Sequence, residues 1–295
     1  MWPISLPIRR GDDGIPGDGF VIRHGFACEN TIFQPGLHHC AEDFYARDGA
    51  ETAGAQVLAM APGEVVFVGS NYPGRVIVIR HDESLYSQYG HLAFEPLVVV
   101  GDVVATGQQT ATVHQIGTEF AVPSHLHVEL RTFLYQDIVN GEHPEYGFNC
   151  GYQCAPGPGY WPLTAPQHPA ELGWRNPTHQ LAQMLRDGGI PSGGEVVVSQ
   201  DADGQEVELR TNPADDATVR ATTPLVGGTR LALLDVAAGD PAGTGSSALA
   251  YDLWYLVRME NGDEGWILAA VPSDADTGSD GRPSGVRLRL LPMSV

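Results

Sequence analysis

From residue 56 to residue 132 the chain is a succession of short apolar or alternating segments broken by glycine, proline and asparagine, with no helical period between them. Gln56–Met60 stops at Ala61-Pro62-Gly63, and Glu64–Val68 stops at Gly69-Ser70-Asn71-Tyr72-Pro73-Gly74. Arg75–Arg80 alternates cleanly. Ser84–Leu92, Leu97–Val100 and Thr110–Gln115 follow, and Gly101–Gln108 reads as a turn, a short strand and a turn. Consecutive strands with tight connections pair antiparallel, so the expected fold class is all-β with antiparallel sheets. The 36 glycines and 22 prolines among 295 residues supply the turns, and that length admits one large domain or two ordinary ones.

The last segment of the run, Ser124-His125-Leu126-His127-Val128-Glu129-Leu130, carries chemistry. In a strand, residues two apart share a face, so His125 and His127 project together while Leu126 and Val128 face a core. Two such imidazoles suit one metal ion, or one ligand beside one group that contacts a bound water. Alternatively they are polar residues on a solvated face. Earlier in the chain, His39 and Asp43 are separated by three residues, and both are good zinc ligands. His38 and Glu42 are neighbours able to substitute for them, and Cys40 lies between. A further histidine, His91, follows Gln88-Tyr89-Gly90 at a strand end.

Composition excludes some partners. The formal charge is −20, and every basic residue is arginine. This acidity argues against nucleic acid and against anionic lipid. No apolar run approaches a membrane span. Met1–Phe20 has Arg9 and Arg10 with no apolar segment after them, so it does not read as a signal peptide. The four cysteines fall into local pairs, Cys28 with Cys40 and Cys150 with Cys154. The pairing fits two disulfides and an oxidising compartment; the rival is a cysteine-rich zinc site.

In order and separation, His39-x3-Asp43, Ala59-Met60-Ala61-Pro62-Gly63, Tyr89-Gly90-His91-Leu92, Gly101-Asp102-Val103-Val104 with Gly107-Gln108, and His125-Leu126-His127-Val128-Glu129 together resemble the lysostaphin-type (LytM-like) zinc metalloendopeptidases of bacterial cell walls. The resemblance covers about residues 36–132 and resumes at Asn176-Pro177. It implies Zn2+ held by His39, Asp43 and His127, with His91 and His125 as the catalytic histidines that are not ligands. It implies hydrolysis of amide bonds in peptidoglycan peptides by a metal-activated water. The alternative is a non-catalytic LytM-like wall-binding or regulatory protein. A secreted, periplasmic or wall-associated monomer is expected, with peptidoglycan or a peptide as its substrate. Ala41 departs from the glycine usual in the family; if that position needs a positive φ, a methyl group there costs about 1 kcal/mol or more. Glu129 shares the His127 face, either orienting an imidazole or solvated.

The expected organisation is an N-terminal arm (1–19), a peptidase domain (20–188) with an inserted loop (133–172), a linker (189–194) and a second β-rich domain (195–295). The insertion is rich in aromatics, Pro and Gly, and is read as a wall of the substrate groove or as a decoration far from it. Asn176 caps a helix that Pro177 begins and Gly188-Gly189 ends. The last domain, through Leu209-Arg210-x-x-Pro213, Trp254-Tyr255-x-Val257, Gly265-Trp266-Ile267 and an Asn261-Gly262 hairpin signal, resembles the bacterial SH3-like β-barrel attached to wall hydrolases. Trp254 and Trp266 read as core, and no catalysis is assigned there.

Overall fold

The computed structural model describes residues 4–31, 34–47, 50–70, 74–116, 123–149, 159–245, 251–272 and 283–291. It is an antiparallel β protein, as the alternation requires. The central sheet runs in the order Val103–Val104, Gly63–Ser70, Arg75–Arg80, Tyr86–Leu92, Leu126–Arg131, Glu42–Ala46, Phe20–His24, and Trp174–Arg175 pairs with the far end of Leu126–Arg131. Each strand sends its apolar face inward: Val65, Ile77, Ile79, Tyr89, Leu126 and Val128 are fully buried. Leu97–Val100 is not a strand. Pro96 precedes it, Leu97 N–H bonds Thr110 O across a loop, and three of its four side chains are exposed.

From residue 4 the segment expected as an arm is built into the fold. Ile4 and Ile8 are fully buried, and Ile8–Arg9 pairs with Gln56–Leu58, which in turn pairs with Gln109–Thr112. The insertion is also built into the fold. Tyr160–Pro162 pairs with Gln34–His39, and Trp161, Trp174, Phe148, Leu172, Phe26 and Cys40 form a second apolar cluster.

The helix Pro177–Gly188 begins and ends where its signals stand. The Asn176 side chain accepts from His179 N–H at 3.0 Å, and Gly189 follows the last turn. Leu181 and Leu185 are buried, with Met184 partly so. Beyond it a seven-stranded antiparallel sheet runs Val219–Pro224, Glu206–Arg210, Glu264–Leu268, Leu253–Arg258, Arg230–Ala238, Glu195–Val198, Leu288–Leu290. Arg230–Ala238 starts after a turn at residues 226–229, with Gly228 at φ +81°. Trp254 is buried and Trp266 half-buried.

The two large sheets share one core. Phe20, Ile22 and Phe44 of the first, Leu181 and Leu185 of the helix, and Leu253, Tyr255 and Leu290 of the second belong to one apolar cluster. Arg289 donates to Phe20 O at 3.1 Å, and Asn176 N–H donates to Pro241 O at 2.9 Å. Asn176 is fully buried, so Asn176→Ala removes a cap and leaves donors without a partner. The variant should lose about 1–2 kcal/mol, read as a lower denaturation midpoint with unchanged slope; an unchanged midpoint would refute the capping role.

Candidate metal centre

The site begins with a register. Leu126–Arg131 lies between Glu42–Ala46 and Tyr86–Leu92, and the pairing sets His127 opposite Asp43 on one side and Gly90 on the other. Residues directly opposite share a face, so His127 and Asp43 meet without further design. Gly90 makes room: a Cβ there would sit 3.3 Å from His127 Cβ. His39, at the end of Gln34–His39, comes in from beside them.

Three atoms converge. His39 Nε2 is 3.2 Å from His127 Nδ1 and 3.3 Å from Asp43 Oδ1, and His127 Nδ1 is 3.1 Å from Asp43 Oδ1. A tetrahedral zinc with bonds of about 2.0–2.1 Å needs ligand atoms about 3.3–3.4 Å apart, so this triangle is nearly one face of that tetrahedron. All three side chains are at most 2% exposed. Among the described residues, this is the single group of three or more His, Cys, Asp or Glu side chains converging in this way.

The far side of each imidazole is also fixed. His39 Nδ1 faces Gly25 O at 3.3 Å, and His127 Nε2 faces Glu129 Oε1 at 3.0 Å. A ring N–H donated to each oxygen leaves the lone pairs of His39 Nε2 and His127 Nδ1 toward the centre, the tautomers a metal needs. Glu129 is therefore an orienting carboxylate, not a solvated one. It is fully buried and also accepts from Gln88 Nε2 at 2.5 Å and Trp174 Nε1 at 2.8 Å, with Arg131 Nη1 3.6 Å away. Burial opposes its ionisation, yet Arg131 and His127 hold its carboxyl below the usual range. Likewise burial opposes the Asp43 charge, but His39, His125 and the bond to His127 hold Asp43 well below the carboxylate norm. Burial alone would lower the His127 pKa; its bonds to Asp43 and Glu129 outweigh that and raise it to about 9, so a metal at Nδ1 would displace the proton shared with Asp43.

His91 and His125 stand beside this centre. Their rings are 4.3 Å apart, and His91 is 6.0 Å from His127, centroid to centroid. His125 Nε2 is 3.6 Å from Asp43 Oδ2, and its Nδ1 donates to Pro123 O at 2.9 Å. Its ring stacks on Tyr45 at 4.7 Å. Burial lowers the His125 pKa despite Asp43, so its Nε2 is an unprotonated base near neutrality. His91 sits at φ +58°, a conformation rare outside glycine and held only by its surroundings.

Four expectations resolve differently. Ala41 is not at positive φ; Ala27 is, at φ +61°. Ala27 N–H donates to His39 O at 2.6 Å while His39 N–H donates to Cys28 O at 2.7 Å. This is the pattern of a bulge usually built on glycine, with Ala27 and Cys28 both opposing His39. The bulge puts Cys28 and Cys40 out of register, and they are not joined: their thiols turn to Phe26 O and His38 O. Cys150 and Cys154 lie outside the described residues. His38 is not at the centre, since its Nδ1 faces Ala27 O at 2.9 Å. Glu42 points away from it, accepting from Thr178 N–H at 3.2 Å. Gly25, Gln88, Trp174 and Tyr160 also reach the centre, with no local signal in the sequence. The Tyr160 ring, from the insertion, lies 5.3 Å from His39.

Residues 43–143 match the family model described as Peptidase family M23, a span that includes Asp43, His91, His125 and His127 and starts just after His39. A curated protein, the lipoprotein NlpD/LppB homolog of Pseudomonas aeruginosa, is 37% identical over 86 residues, which is 28% of this chain and 28% of its own length. The match thus spans well under a third of that relative. Among solved structures, a zinc-containing peptidase from Vibrio cholerae aligns over 43% of this chain and 36% of its own, at 26% identity and a TM-score of 0.33. The antimicrobial peptidase lysostaphin from Staphylococcus simulans aligns over 92% and 95%, at 14% identity and a TM-score of 0.38. No helix among the described residues is long and apolar enough to cross a membrane.

Burial raises the Glu42 pKa from 4.5 to about 7, against hydrogen bonds from Thr178 and Tyr251. The folded state therefore binds the proton more tightly than the unfolded one. The Glu42 contribution to stability is lost as pH rises from 4.5 through about 7, then stays flat. In a melting series from pH 4.5 to 8, Glu42→Gln should gain on the wild type up to about pH 7 and hold that lead above it; a constant difference throughout would contradict the assignment.

Proposed function

We propose, from a chain that carries a Peptidase family M23 domain, that this protein is a zinc-dependent endopeptidase cleaving amide bonds in peptidoglycan peptides outside the cytoplasm. The observation that carries the reading is the triangle of His39 Nε2, Asp43 Oδ1 and His127 Nδ1, with two further histidines at its edge. In this reading the three converging atoms would hold the metal. Two histidines and one carboxylate are a donor set of catalytic rather than structural zinc sites. A zinc ion held there would supply Lewis acidity, acidifying water and polarising a carbonyl oxygen.

The chain's own groups do the rest. His125 Nε2, neutral and fixed by Pro123 O, accepts the proton of an attacking water and returns it to the leaving amine. His91, held beside it by a strained backbone, donates to the developing oxyanion. Glu129 holds the His127 ring against rotation. The insertion residue Tyr160 borders the centre, which supports the insertion as one wall of the groove. Residues 195–295 act as an SH3-like wall-binding module in this reading, docked on a peptidase unit of residues 20–188.

The test is metal content and peptidoglycan hydrolysis for the wild type, His127→Ala and His125→Ala. The wild type should hold about one zinc and clear walls; His127→Ala should lose both. His125→Ala should keep zinc and lose activity by about 10²–10⁴-fold, the usual worth of a general base. No zinc in wild type purified without chelator would refute the reading, and zinc without wall hydrolysis would refute the substrate. Independently, Glu129→Gln should weaken zinc about 10–100-fold, measured by competition with a chromophoric chelator; unchanged affinity would remove Glu129 from the site.

A further inference from the structure

The turn Gly25-Phe26-Ala27 holds His39 at two points. Gly25 O receives the imidazole N–H at 3.3 Å, and Ala27 N–H reaches His39 O at 2.6 Å. With Ala27 at φ +61°, the turn is strained, and such a conformation persists only where its surroundings over-determine it. Part of that constraint comes from the other half of the molecule. Phe26 N–H, buried in the middle of the turn, donates to the Tyr251 hydroxyl oxygen at 3.0 Å, across 225 residues of sequence. Tyr251 lies just before Leu253–Arg258 in the seven-stranded sheet and is 3% exposed.

The same hydroxyl bonds the Glu42 carboxyl, one residue before Asp43. Glu42 in turn accepts from Thr178 N–H in the first turn of the helix. One phenol therefore ties together the His39 bulge, the strand that carries Asp43 and the helix that joins the two sheets. The Tyr251 ring also packs 6.0 Å from His179 of that helix, so this side chain of the C-terminal unit is seated against the peptidase unit.

We propose that Tyr251 is a positioning residue for the metal centre, through which docking of the C-terminal unit fixes the spacing of His39 and Asp43. The consequence is that metal affinity is a property of the whole chain, since the ligand-bearing turn is completed by a hydroxyl from beyond the peptidase segment. The inference rests on the metal reading above. Tyr251 acts through Phe26 and Glu42, not on the reacting atoms.

The test uses the full chain as wild type, Tyr251→Phe and Tyr255→Phe, each stripped of metal. Tyr255 is an equally buried tyrosine of the same unit, lining the apolar interface with Phe20, Ile22 and Leu290, so it controls for loss of packing alone. Zinc affinity is read by chelator competition, and ligand geometry by the visible spectrum of the cobalt(II) form. Tyr251→Phe should bind zinc at least tenfold more weakly, at the lower end of what loss of an outer partner costs, and shift the cobalt bands. Tyr255→Phe should stay within about twofold of wild type, since its hydroxyl is outside the relay to the ligands. Wild-type affinity and spectrum in Tyr251→Phe would overturn the positioning role while leaving the metal reading intact. Equal losses in both variants would also overturn it, assigning the effect to packing. Absence of zinc binding in the wild type would overturn the metal reading itself.

Discussion

The centre depends on one antiparallel pairing, Leu126–Arg131 against Glu42–Ala46, which puts His127 across from Asp43. A slip of one residue would turn His127 into the core and Leu126 out of it. The register is therefore held by Leu126, Val128 and Leu130, each at most 1% exposed, as much as by the polar residues themselves. Hydrophobic burial of one strand face thus fixes the chemistry of the other. The neighbouring strand completes the arrangement by offering Gly90 where a side chain would press on His127.

Burying this many ionisable groups is costly unless each is paired. Here each carboxylate is balanced. Asp43 faces His39, His125 and His127, while Glu129 faces His127, Trp174, Gln88 and Arg131. Arg131 is itself fully buried and also donates to Gln88 Oε1 at 2.7 Å. The network fixes the angles of the His39 and His127 rings toward the centre. It also explains why the insertion and the main sheet belong together: Trp174 packs with Trp161 and Phe148 in the second cluster while its indole N–H holds Glu129.

Much of this was legible in the sequence because strands encode face by parity. Alternation identified the strands, and the i, i+2 spacing of His125 and His127 named a shared face. The helix Pro177–Gly188 was legible down to its cap, since Asn176, Pro177 and Gly189 each act locally. What was not legible came through space. Trp174, Gln88 and Tyr160 reach the centre by cross-strand pairing, which leaves no local signal. The expected strain at Ala41 lay instead at Ala27, because the bulge is defined by its partner His39 and not by its own neighbours. For the same reason the Cys28–Cys40 pairing failed: nearness in sequence did not reveal that Cys28 opposes His39.

The most direct measurement is X-ray absorption at the zinc edge on the purified full chain. The zinc should show nitrogen and oxygen neighbours at about 2.0–2.1 Å with imidazole outer scattering from two histidines, and no sulfur. A sulfur scatterer at about 2.3 Å would move the metal onto cysteine and contradict the assignment of His39, Asp43 and His127.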